Sequence, residues 1–435
     1  MAQTCVEVIS KETIKPSSPT PQHLQKMKLS YLDQLVDPVY MSFISFYQAE
    51  GEAIHRAGSH VQISQRLKKS LSHTLTSFYP LAGRIQDNFT IDCNDAGVEF
   101  IDARAVDHTQ LTNAIQEQPN NIDEDHLKLY LPVDPSTTAG DHTTKPLFLV
   151  QVTYFDCGGV VVGVLFSHRI ADCASIVDFI NAWAHANGTD DISTLGRPIN
   201  LAKHFPGMEL SSTGLFMTRD EKFLTKMFVF DKVKLEALRK LAESNVKKPT
   251  RVELISAFIW QNFMQLSSSS DGDHNNDKIF CAGHAVNLRA RNKSFENVFG
   301  NCVVAATAYE ESSSSGGGEF HEVVSKLRSA IRRIDEDYIT KSMQQSGDGG
   351  LLKDLNEFGS MFMKGVVEMF VFTSWCRFPF YEVDFGWGKP IWFCPVVLSN
   401  NLAILVNSRC GERIEVWVNM KKDALSILED KFKLI

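Results

Sequence analysis

At 435 residues the chain is too long for one ordinary core, so two domains of about 200 residues or three smaller ones are expected. With 43% hydrophobic and 22% charged residues it is neither disordered nor fibrous, and no apolar run reaches the roughly 18–20 residues that span a bilayer. The net charge of −8 argues against a nucleic-acid partner, which needs a basic footprint, but is compatible with a local basic pocket for an anionic small molecule.

The opening MAQTCVEVISKETIKPSSPTPQ lacks the basic-then-apolar pattern of a secretory signal. Apolar residues at helical spacing predict a helix over Gln62–Phe78, followed by a turn at Pro80–Arg84. Leu147–Phe155 reads as a strand, Cys157-Gly158-Gly159 as a tight turn, and Val160–Phe166 as a strand covered on both faces. A helix follows over Ala171–His185, ending near Gly188. Pro198, Pro206 and Gly207 then interrupt the pattern, so residues 197–220 are expected to cross between domains 1–196 and 221–435.

Beyond that break, helices are expected at Val233–Ser244, Arg251–Gln265, His321–Glu336 and Lys353–Glu368. Strands are expected at Lys278–Val286, Val303–Ala308, Ala403–Asn407 and Glu415–Val418. Three polar tracts, Ser267–Lys278, Glu310–Glu319 and Ser346–Gly350, read as surface connections. The alternation makes a mixed α/β chain. The nine cysteines, scattered from Cys5 to Cys410 without a CxxC pair, fit reduced thiols in the cytoplasm. In that compartment the sequons at Asn88, Asn187 and Asn292 carry no weight.

The most informative point is the end of the covered strand, Phe166-Ser167-His168-Arg169-Ile170-Ala171-Asp172. Open α/β sheets place ligands at such strand-to-helix junctions. His168 reads equally as a satisfied core histidine or as a working base. Asp172, one helical turn on, either orients the imidazole or turns to an arginine that holds the loop; the spacing is compatible with both. No nucleophile accompanies them. Ser167 points to the opposite face, Cys173 rotates off the shared helical face, and no G-x-S-x-G elbow occurs. The chemistry indicated is a histidine deprotonating a bound substrate directly. No metal is expected, since HExxH is absent and only one histidine and one carboxylate stand at ligand spacing.

The stretch Ser374–Pro390 (SWCRFPFYEVDFGWGKP) is dense in aromatics, glycines and prolines, which favours a structural plug over a loop fixed by Asp384 and a basic residue. Lys247, Lys248 and Arg251, with Thr250 as a candidate N-cap, sit where a helix start suits phosphate. Arg289, Arg291 and Lys293 form a second cluster. Solvated charge is the usual reading of either.

Together these segments resemble the BAHD acyltransferases of plants, nearly end to end. The resemblance is carried by LSYLDQL (Leu29–Leu35), FYPLAGR (Phe78–Arg84), His168-x-x-x-Asp172, AVNLR (Ala285–Arg289), Gly300-Asn301 and DFGWG (Asp384–Gly388), with the opening segment most similar to the alkaloid-modifying branch. It implies an α/β fold of two similar-sized chloramphenicol-acetyltransferase-like domains, each a mixed sheet flanked by helices, with an active-site channel at their interface.

The resemblance implies transfer of an acyl group, most simply acetyl from acetyl-CoA, to a hydroxyl of a specialised metabolite. No permanently bound cofactor, metal, nucleic acid or membrane is involved, and the enzyme is expected to be monomeric. It assigns His168 and Asp384 to the catalytic set, Asp384 acting with Trp387 as a brace at a distance. Thr373, Ser374 and Trp375 would position the oxyanion or acceptor, Asp172 would pair with Arg289, and Thr250, Arg251 and Asn287 would contact coenzyme A. An amine acceptor, a lyase-type reaction and a non-catalytic binding protein stand as alternatives.

Overall fold

The computed structural model describes residues 5–48, 58–106, 111, 124–135, 143–189, 198–209, 223–242, 246–270, 278–311, 318–345, 349–364, 366–396 and 399–435. The polar tracts expected as surface connections fall wholly or partly outside these residues, as do 197 and 210–220 of the expected crossover. The chain divides into two compact units. One comprises Met1–Met217, Asn297–Cys302 and Phe378–Leu398; the other comprises Thr218–Glu296, Val303–Arg377 and Ser399–Ile435. An N-terminal domain followed by a C-terminal one is therefore corrected. The DFGWG segment, expected within 221–435, groups with the first unit.

The strands along the first half are β1 (Val6–Ile14), β2 (Lys26–Lys28), β3 (Tyr40–Tyr47), β4 (Arg84–Ile85), β5 (Thr90–Asp92), β6 (Val98–Ala105), β7 (Phe148–Tyr154), β8 (Val160–Ser167) and β9 (Ile199–Asn200). They continue as β10 (Phe223–Phe230), β11 (Ile279–Asn287), β12 (Val298–Phe299), β13 (Val303–Glu311), β14 (Val367–Ser374), β15 (Trp392–Val396), β16 (Leu402–Asn407) and β17 (Ile414–Lys421).

In the first unit a six-stranded sheet runs β1-β6-β7-β8-β3-β15. Every residue of β8 is buried, as its unbroken apolar run predicts. The one small residue inside that run has a steric cause: a Cβ on Gly163 would lie 1.9 Å from the Tyr130 carbonyl oxygen. The helices His60–Ser77 and Cys173–Gly188 pack together, the former opened by a Ser59–Gln62 capping box. The edge strand β15 explains the grouping of the DFGWG segment. It pairs antiparallel with β3, and Pro395, opposite Phe43, occupies the edge position where a missing N–H is tolerated. Phe393 packs on Phe43 and stacks on Phe380 at 3.8 Å between centroids.

The second unit carries a sheet in the order β10-β17-β16-β14-β11-β13, with β11, β14 and β16 mutually parallel. The predicted helix over Lys353–Glu368 is corrected. The helix is Gly350–Met363, and Val367-Glu368 opens β14, which pairs with β11 from Ile279↔Val367 onward. The pairing claims β-branched residues that a local helical spacing had absorbed. The helix expected over His321–Glu336 stops at Arg333, because Asp335 caps a new helix, Glu336–Met343, through the Tyr338 N–H.

Candidate active site

Strand β8 delivers His168 at its C-terminal end. The strand's last residue, Ser167, pairs with Tyr40 of β3 and donates its N–H to the Leu147 carbonyl. One residue on, the His168 N–H donates to the Val39 carbonyl at 2.8 Å, so the histidine backbone is held by the same neighbours after the strand has ended. Ser167 is fully buried and His168 half-buried, on opposite faces as alternation requires. Arg169 then turns back and donates to the Gln34 and Val36 carbonyls at 2.9 and 2.6 Å. It pins the turn to the short helix Tyr31–Gln34.

Asp172 accepts from two backbone amides. As N-cap of Cys173–Gly188 its Oδ1 accepts from the Ser175 N–H at 2.9 Å, and its Oδ2 accepts from the Cys302 N–H at 3.0 Å. The imidazole Nδ1 instead faces the Ala171 carbonyl at 3.2 Å. Of the two readings of Asp172, these bonds favour a brace of the turn over an orienting acid, since it is the Ala171 carbonyl that faces the ring.

A carbonyl can only accept, so the proton of the neutral ring lies on Nδ1 and Nε2 carries the free lone pair. Burial pushes the His168 pKa below its ordinary value of 6.5, partly opposed by the charge of Asp172 and by hydrogen bonding to Ala171 and Asn301. Position, tautomer and lowered pKa are compatible with a base.

Two residues quoted only within motifs, and given no role there, hold this turn. Asn301 is fully buried; its Nδ2 donates to the His168 carbonyl at 2.8 Å and to Asp33 Oδ1 at 2.9 Å, and its N–H donates to the same Asp33 oxygen. Its Oδ1 is buried without a hydrogen-bond partner among the described residues. Asp33 is also buried, accepting from the Ser30 hydroxyl and N–H in a capping box. Burial raises its pKa despite these four donors. Ser30-x-x-Asp33 inside LSYLDQL was the available signal, a helix-start signature. Gly300 precedes Asn301 at φ +135°, where a Cβ would meet Leu201 at 2.9 Å and Asp33 Oδ1 at 3.2 Å.

Asp384 sits elsewhere in the same unit, which corrects its place beside His168 in the catalytic set. Its Oδ1 accepts from the Gly386 and Gly388 N–H groups at 2.7 and 2.9 Å, closing a loop with φ of +96° and +111° at the two glycines. Trp387 and Phe385 are buried against Tyr47, the far end of β3 from Tyr40. Seven residues at about 3.3 Å each separate the loop from the His168 end by roughly 23 Å. Phe385 also packs edge-on against Trp183 at 4.8 Å, and its carbonyl accepts from Asn187 Nδ2. Asp384→Ala is expected to lower the unfolding midpoint by several degrees, having released two amides, while costing kcat less than tenfold. A rate loss matching that of His168→Ala with unchanged stability would contradict this placement.

In the second unit the remaining residues gather at the C-terminal ends of the parallel strands β11, β14 and β16. Thr373 and Ser374 close β14, and Trp375, buried, donates its N–H to the Leu405 carbonyl. Asn287 ends β11 and accepts from the Arg289 N–H and Nη1 at 3.0 and 3.4 Å. Asn407 ends β16; its Nδ2 donates to the Cys376 carbonyl and its Oδ1 accepts from Arg251 at 3.4 Å. Arg251 also donates to the Gly411 carbonyl, so it ties a helix start to the β16–β17 turn. Thr250 forms a capping box with Glu253, whose carboxylate pairs with Arg328 at 2.6 Å. No group of three or more metal-ligating side chains occurs among the described residues.

A family described as "Transferase family" matches residues 4–435. Stemmadenine O-acetyltransferase of Catharanthus roseus is 37% identical, covering 98% of this chain and 97% of its own. Vinorine synthase of Rauvolfia serpentina is 35% identical over 97% and 96%. The crystal structure of vinorine synthase superposes with a TM-score of 0.78 at 33% identity, over 97% and 96% of the two chains. F. sporotrichioides TRI101, crystallised with coenzyme A and T-2, shares the fold at a TM-score of 0.63 and 15% identity, over 92% and 96%.

Proposed function

This chain belongs to the Transferase family, the BAHD acyltransferases, and from that premise we propose that His168 is the general base of its acyl transfer. The protein is an acyl-CoA-dependent O-acyltransferase with acetyl-CoA as co-substrate, and its acceptor is the hydroxyl of a specialised metabolite. The observation that carries the role of His168 is the Nδ1–Ala171 contact, which leaves Nε2 unprotonated and available.

Nε2 takes the proton as the acceptor oxygen attacks the thioester carbonyl carbon. The C–S bond of the tetrahedral species then breaks, and the imidazolium returns its proton to the coenzyme A thiolate. No covalent acyl-enzyme forms. The Thr373 hydroxyl and Trp375 indole N–H are our candidates for stabilising the oxyanion. Thr250, Arg251 and Asn287 are our candidates for holding coenzyme A, and Arg289 is our candidate for the charge partner of Asp172. Their gathering at one edge of the second sheet supports the group, while Arg251 and Asn287 already have structural duties there.

We place the enzyme in the cytoplasm as a monomer. None of the nine cysteines forms a disulfide, which suits a reducing compartment, and no helix among the described residues is long and apolar enough to cross a membrane. The test of the whole reading is thiol release from acetyl-CoA, followed with a panel of polycyclic alcohols and matched amines. Acceptor-dependent thiol with alcohols is expected. Release with amines alone, or no coenzyme A binding by titration, would overturn it.

A further inference from the structure

A pocket of about 350 Å³ lies in the first unit, with none of the residues of the His168 turn in its wall. Its volume falls within the usual range of small-ligand sites. Three of its lining residues are basic or imidazole-bearing, His23, Lys26 and Lys203, and none is a carboxylate. Tyr79, Pro80 and Phe299 supply flat apolar surface. Tyr79 and Pro80 come from the FYPLAGR segment, and Phe299 from β12, which pairs in parallel with β9.

The charges are not equivalent. Lys26 already donates to Asp92 at 2.9 Å and to Gln86 at 2.6 Å. Asn200 is likewise committed, donating to the Lys28 carbonyl and accepting from the Ala202 N–H. Lys203 is exposed on a single 3₁₀ turn, so its ammonium is the cation of this lining that is open to a ligand. Aromatic and proline walls beneath a cationic rim complement a planar aromatic anion, which stacks or meets the rings edge-on while its carboxylate takes a charge-assisted hydrogen bond.

We propose that this pocket is a second ligand site, separate from the acyl-transfer site, and that it takes an aromatic monocarboxylate. The geometry selects planarity through the walls and charge through Lys203. Calorimetric titration of the full chain with 2-naphthoate tests it, with naphthalene-2-carboxamide as the uncharged match. Naphthoate is expected to bind with a Kd of about 1 mM or tighter. The carboxamide and the Lys203→Glu variant should each bind at least about tenfold more weakly, and Lys203→Arg should restore binding. Saturating coenzyme A should leave naphthoate affinity unchanged, and Lys203→Glu should leave acyl transfer unchanged. Equal affinity of wild type and Lys203→Glu, displacement by coenzyme A, or no preference for the anion would each overturn the proposal.

Discussion

His168→Ala is expected to lower kcat/KM by about 10²–10⁴, the usual worth of a positioned general base, with little change in the unfolding midpoint. The side chain is half-buried and its Nδ1 faces a backbone carbonyl, so its removal leaves no buried donor unsatisfied there. The same geometry predicts the pH dependence. Since burial lowers the imidazole pKa below 6.5, the base stays unprotonated to lower pH than a free histidine. The acid limb of log kcat/KM should therefore fall off below pH 6.5, activity being present above that point and lost as pH drops through the folded pKa. Near-normal turnover by the variant would remove His168 from the mechanism, and an acid limb displaced above 6.5 would contradict the burial account.

Asp172→Ala should act chiefly on stability. Losing the N-cap acceptor costs about 1 kcal/mol, and leaving the buried Cys302 N–H unsatisfied costs a further 1–3 kcal/mol or so. For a unit of this size the sum corresponds to an unfolding midpoint lower by roughly 5–15 °C. Asp172→Asn keeps the cap but turns an NH₂ toward one of the two amides, so it should fall between wild type and the alanine variant. The discriminating outcome is a large loss of rate in Asp172→Asn with an unshifted midpoint. That result would restore the acid to an orienting role beside the imidazole and refute its role as a backbone brace.

These two residues also show where reading from sequence succeeds and stops. The covered strand β8 and the junction at His168 are local, carried by consecutive residues whose burial follows from their own composition. The role of Asp172 is not local, because half of it depends on Cys302, 130 residues away. Asn301 and Asp33 escape for the same reason: each is an ordinary polar residue until a bond across 268 residues joins them. β14 went unassigned, and its first two residues were absorbed into an apparent helix, because its identity comes from β11 and β16 and not from its own spacing. The DFGWG loop was recognisable as a motif, yet its place at the opposite end of β3 from His168 follows from the register of β3 against β8, which no single segment encodes.

The return of β12 and β15 to the first unit, β15 as the edge of its six-stranded sheet, has a consequence for how the protein is made. A ribosome that has finished residue 217 has produced most of that unit but neither of these strands, and β3 still presents an unpaired apolar edge. That edge must wait until residue 396 emerges, at about 5–20 residues per second some ten to forty seconds later. Throughout that interval the nascent chain is open to mispairing with other strands. The two units are therefore not separable cassettes: severing the chain between them yields a half that has lost its closing strand, so transplanting either one alone into another protein should produce insoluble material.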